Sequence, residues 1–189
     1  MTWENSAAGY RLLANFYAST NRLDEAVATL EKSTVAEPND LGLQRDLMKL
    51  LFRRNEPADR ERASGILTLL EEKLPRDPEL MKLRALRLLD ERTVSSEQAA
   101  LKKLEDAVKQ DPRDVNTHLM LIGLAMQQGD YNSARDRAIR GAAANPKNSL
   151  LVAARARAEL SLNNVAVARQ FAHLALQDDP NSVEALGVL

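Results

Sequence analysis

The strongest constraint in this sequence is that it repeats one helical hairpin. Val115 to Asn148 sets Leu119, Leu121, Ile122, Ala125 and Met126 at helical spacing and breaks at Gln-Gln-Gly-Asp-Tyr. It resumes with Ala134 and Ala138 and ends at Asn145-Pro146. An acidic residue or Asn precedes Pro38, Pro78, Pro112, Pro146 and Pro180, so the last three intervals are 34 residues and the first is 40. A unit of two short helices cannot bury its apolar face alone, so each unit packs on the next. The 189 residues are therefore expected to form one elongated all-α array, because in such arrays each unit contacts mainly its neighbours.

In the first unit Tyr10, Leu13, Ala14 and Tyr17 place large, large, small and large residues along the first helix. Asn21 takes the turn, and Ala26 and Leu30 supply the small and bulky positions of the second helix. With two helices per unit and a 34-residue period, this pattern resembles the tetratricopeptide repeat. The resemblance runs from Ala7 to Ser182. It implies a right-handed superhelical α-solenoid of antiparallel helix-turn-helix repeats at about 7–40, 41–80, 81–114, 115–148 and 149–182. Residues 183–189 then read as the apolar start of a further helix, an expectation that the natural chain continues.

Three units depart from the rhythm. The second is six residues too long; Pro57 is placed at the start of an extended second helix, with the excess shared between the turn and the segment after Leu70. In the third, alignment at strict 34-residue period buries Arg84, Arg87 and Glu91. A slip of one residue instead buries Leu80, Leu83, Leu86 and Leu89, with Ser95 and Gln98 as a capping box opening the next helix. The fifth, by the same slip, buries Leu151, Ala154 and Ala158 instead of Arg155 and Glu159. Trp3 is expected to cover the outer face of the first unit.

Composition narrows the function. Lys plus Arg number 26 against 27 Asp plus Glu, which argues against a general nucleic-acid or anionic-membrane surface, and 4% aromatic content argues against stacking on single strands. Without cysteine there is no thiolate metal site or Cys nucleophile. No apolar run is long enough to span a bilayer. His118 and His173 lie too far apart for a helical metal pair, and no glycine-rich phosphate loop occurs. No catalytic residues, metal or cofactor are assigned, and His118 is expected in the core or at a groove edge.

The resemblance implies that first helices line a concave groove that holds a peptide segment of a partner protein. Carried over by position, the groove presents Arg11, Asn15, Arg45, Asp46, Lys49, Phe52 and Arg53 at one end and Leu86 or Leu88, Leu119, Met120 and Met126 at the other. Such a groove suits a partner with acidic and apolar parts. One subfamily clamps a terminal carboxylate. Arg11, Asn15 and Lys82 fit that pattern, whereas Asp46 and Leu86 stand where Asn and Arg are required. Two further readings are a non-catalytic positioning arm of a larger enzyme or of a bacterial-type envelope or secretion protein, and self-association through exposed repeat ends.

Overall fold

The computed structural model describes residues 6–189, so the expectation for Trp3 falls outside the described residues. The chain divides into two compact units, Met1–Pro75 and Arg76–Leu189. The first contains α1 (Ala7–Ser19), α2 (Leu23–Ala36), α3 (Leu41–Arg54) and α4 (Pro57–Lys73). The second contains α5 (Pro78–Asp90), α6 (Val94–Gln110), α7 (Val115–Gln127), α8 (Tyr131–Ala144), α9 (Ser149–Ser161), α10 (Val165–Asp178) and the four-residue α11 (Val183–Leu186). In each unit successive helices pack on one another as antiparallel hairpins.

Local chemistry sets the ends of these helices. Ser6, Asp40, Asp77, Thr93, Asp114, Asp130, Asn148 and Ser182 accept hydrogen bonds from first-turn amides, the donors an α-helix otherwise leaves unpaired. Each of the five hairpin turns contains one left-handed residue: Asn21, Asn55, Arg92, Gly129 and Asn163. Asn and Gly adopt that conformation at low cost. Arg92, at φ 52°, does not.

The second helices share one close-packed stripe. Ala26, Leu30 and Ser33 recur as Ala63, Leu67 and Leu70, then Ala100, Leu104 and Ala107, Ala134, Ala138 and Gly141, and Ala168, Ala172 and Ala175, all buried. Each set is displaced from the last by 37, 37, 34 and 34 residues. Pro38, Pro75, Pro112, Pro146 and Pro180 follow the same spacing, each directly after a helix C-cap.

This corrects the sequence register. The repeat proline of the second hairpin is Pro75; Pro78 is the first residue of α5, after its cap Asp77. The excess is three residues in each of the second and third hairpins, and it lies in α4 and α6, both 17 residues long against 14 in α2, α8 and α10. The turn before α4 is Asn55-Glu56 alone, so none of the insertion sits there.

The third hairpin is accordingly shifted by three residues, not one. Leu80 and Ala85 are the buried positions of α5; Leu83 and Leu89 are half-buried and Leu86 is 44% exposed. The capping box of α6 is Thr93 with Ser96, two residues ahead of the Ser95 pattern. In α9 no slip is needed. Leu151, Ala154 and Ala158 face the α7–α8 side, while Val152, Ala153 and Ala156 pack with α10 and the C-terminal segment. Glu159 is buried as well, accepting Asn164 Nδ2 at 2.8 Å. Arg155 lies 3.8 Å from it and stacks 3.7 Å from the Phe171 ring centroid.

Candidate functional site

In the second unit the first-helix face holds a half-open pocket of about 530 Å³ lined by Leu119, Ile122, Gly123, Met126 and Gln127 of α7, Tyr131 of α8, Ala154, Arg157 and Ser161 of α9, and Glu184 of α11. The helical period explains the α7 contribution, because residues 119, 122, 123, 126 and 127 fall on one face. Leu119 and Met126 also pack on the buried Ile122, Ala125, Leu151 and Ala154, so the floor is continuous with the core. Gly123 sits in mid-helix, where glycine costs roughly 1 kcal/mol relative to alanine. A Cβ there would meet nothing within 4 Å, so the space at this edge of the pocket is open.

The residues assigned from sequence separate on this geometry. Leu119 and Met126 come together in the pocket. Met120, one residue on, packs on the cluster of Ala85, Leu104 and Leu121. Leu86 projects from α5 as an exposed residue. Sequence reasoning missed Arg157 and Glu184, whose ion pair of 2.9 Å depends on the chain returning along α11.

In the first unit, Arg11 donates from Nε to Asp46 at 2.8 Å and from Nη2 to Asp40 at 3.3 Å. Its guanidinium occupies the space a side chain at position 42 would need, since a Cβ on Gly42 would lie 1.9 Å from Nη2. Arg11 is thus neutralised by the fold. Asn15, Lys49 and Arg53 are exposed, and Arg45 and Phe52 are half-buried. Arg53 sits in the last turn of α3, where a cation complements the helix dipole. In the second unit Lys82 is held by Asp114 at 2.6 Å, so both cations matching the terminal-carboxylate clamp already have carboxylate partners.

The pairs follow one rule. Arg11 and Lys82 are each the fifth residue of a first helix, and each reaches the Asp that caps the next first helix. In α7 the fifth residue is Leu119 and the following cap is neutral Asn148. There the charge pair gives way to the apolar pocket.

Other polar groups serve packing. Asp59, 2% exposed, takes both Nε and Nη2 of Arg54, the latter at 2.6 Å, and Arg54 also reaches Asp24 at 3.0 Å. The Arg54 hydrogen bonds hold the Asp59 carboxyl below the usual carboxylate range against the opposing effect of burial. His118 is buried and donates from Nε2 to the Pro112 carbonyl at 2.9 Å. Among the described residues no cluster of His, Cys, Asp or Glu suits a metal ion, and no helix is long and apolar enough to cross a membrane.

The hairpins, their shared small-residue stripe and their stacking define a helical-repeat protein. A family model for the tetratricopeptide repeat matches residues 97–158. It superposes on a crystal structure of MamA with a TM-score of 0.70 at 15% identity, covering 97% of this chain and 96% of that one. YrrB, described as a tetratricopeptide protein with an unusual peptide-binding site, gives 0.65 at 15% identity over 97% and 92%. Yeast Tom70 gives 0.76 at 15% identity over 99% of this chain and 39% of the longer protein. No curated protein matches by sequence.

Proposed function

We propose that this chain is a non-catalytic protein-interaction scaffold that holds a peptide segment of a partner on the first-helix face of its second unit. The observation that carries this reading is Gly123. A helix-weakening residue stands where a side chain would fill the pocket, beside the Leu119, Ile122 and Met126 surface. The volume of about 530 Å³ suits one or two apolar side chains and falls in the usual range for binding pockets, about 300–1,000 Å³. Arg53, exposed in the last turn of α3, adds a cation to the first helices of the first unit that favours acidic parts of a partner.

The test is to select peptides against the chain and compare their affinity for wild type and Gly123→Leu. Leucine is a good helix former and enters open space, so the variant folds while its pocket closes. A loss of tenfold or more, about 1.4 kcal/mol, is expected. Unchanged affinity would refute the pocket. Reversing Arg53 to Glu is expected to weaken acidic partners alone.

A further inference from the structure

Arg157 and Glu184 stand across the same pocket, Nη1 to Oε1 at 2.9 Å. Among its lining residues Arg157 is the sole cation and Glu184 the sole anion. Their side chains are 59% and 35% exposed, so the pair is solvated and contributes little to the fold. Glu184 is carried on α11, which is fixed by buried Ala185 and Val188 and by the Ser182 cap, while the glutamate itself extends toward the pocket. The guanidinium presents a planar donor edge suited to a carboxylate, and the carboxylate it now meets belongs to the protein.

On the reading that this pocket holds a peptide, we propose that its ligand is a segment with an apolar side chain for the Leu119, Ile122 and Met126 floor and an Asp or Glu close by for Arg157. Glu184 is then a built-in competitor, occupying Arg157 until a ligand carboxylate displaces it. An apolar side chain alone gains burial but leaves the pair undisturbed. A segment carrying both groups gains burial and exchanges the exposed Arg157–Glu184 pair for a charge-assisted hydrogen bond that the bound segment shields from water, and that difference is the specificity. Removing the competitor strengthens binding because the ligand no longer displaces an existing pair.

The experiment pans a phage-displayed random-peptide library on the full chain as wild type, Arg157→Gln and Glu184→Gln, with circular dichroism confirming each fold. Wild type is expected to enrich an apolar residue followed within a few positions by Asp or Glu. A synthetic peptide of the enriched sequence should bind Arg157→Gln roughly tenfold more weakly and Glu184→Gln several-fold more tightly. Replacing the peptide's acid by its amide should abolish the difference between wild type and Arg157→Gln. Enrichment of acid-free apolar sequences, or equal affinity across the three proteins, overturns the inference and leaves the pocket standing. No enrichment, or enriched peptides indifferent to Gly123→Leu, overturns the pocket and the inference together.

Discussion

Lys82 Nζ lies 2.6 Å from Asp114 Oδ2, and the same carboxylate caps α7, accepting the Asn116 amide at 3.1 Å and the Thr117 hydroxyl at 2.6 Å. One side chain therefore begins a helix and ties it to the hairpin before it. Arg11 with Asp40 repeats the arrangement in the first unit.

Asp114→Ala should cost about 2 kcal/mol in urea unfolding, about half from the cap and half from the lost charged hydrogen bond. Lys82→Met, which spares the cap, should cost less, about 0.5–1 kcal/mol. Equal losses would show that the cap contributes nothing.

Acid should weaken the fold through the same group. Burial alone would raise the Asp114 pKa, but the hydrogen bonds of Lys82, Thr117 and the Asn116 amide outweigh it and hold the carboxyl below its usual 3.8. A carboxylate lowered in the folded state stabilises fully above its unfolded value, and that contribution disappears as pH falls through the folded value. Asp59 acts in the same direction. Stability should be flat in this respect above about pH 5 and fall below about pH 4, with a shallower fall in Asp114→Asn. Identical acid profiles for wild type and that variant would contradict the assignment.

Asp59→Ala leaves Arg54 partly buried with only the exposed Asp24 as partner and should destabilise by about 1–3 kcal/mol. Arg54→Met with Asp59→Leu should recover much of that loss, because no buried charge then remains and Asp24 is left in water. Calorimetry of the single and double variants tests this. A double variant less stable than Asp59→Ala would contradict it.

The same substitution should have opposite signs at two glycines. Gly123→Ala enters open space and should stabilise by about 0.5–1 kcal/mol. Gly141→Ala sets a Cβ 3.0 Å from Leu151 Cδ2 and 3.1 Å from His118 Cγ, both buried side chains, and should cost about 1–3 kcal/mol. Thermal melts that move in the same direction would refute this contrast.

Arg92 holds a left-handed turn position that Asn or Gly fills in the other four hairpins. Arg92→Gly or Arg92→Asn should therefore raise stability by about 0.5–1 kcal/mol in urea titration. A loss would mean that the arginine side chain offsets its backbone cost.

The all-α fold and the small-residue stripe of the second helices were legible because apolar period and close packing are both local in sequence. Ala26 and Leu30, Ala100 and Leu104, and Ala168 and Ala172 are all buried where the period puts them. Register was not legible across α4 and α6. Asp77-Pro78, a cap followed by the first helical residue, has the same chemistry as Asp111-Pro112, a C-cap followed by a loop residue. Three extra residues inside a helix shift the phase with no turn signal to announce them. The pocket was half legible: Leu119 and Met126 follow from helical spacing. Met120 was drawn in because a one-residue rotation of about 100° separates floor from core. Arg157 and Glu184 meet only through tertiary packing, and Gly123 gains meaning only when its neighbours are known to be absent.

Methyl chemical-shift mapping of the chain with a selected peptide bound tests most directly whether the pocket holds the peptide. Shifts should concentrate on Leu119, Ile122 and Met126 and be lost in Gly123→Leu. Shifts confined to exposed second-helix methyls such as Ile139 and Leu174, with those three unmoved, would place binding on the other face and contradict it.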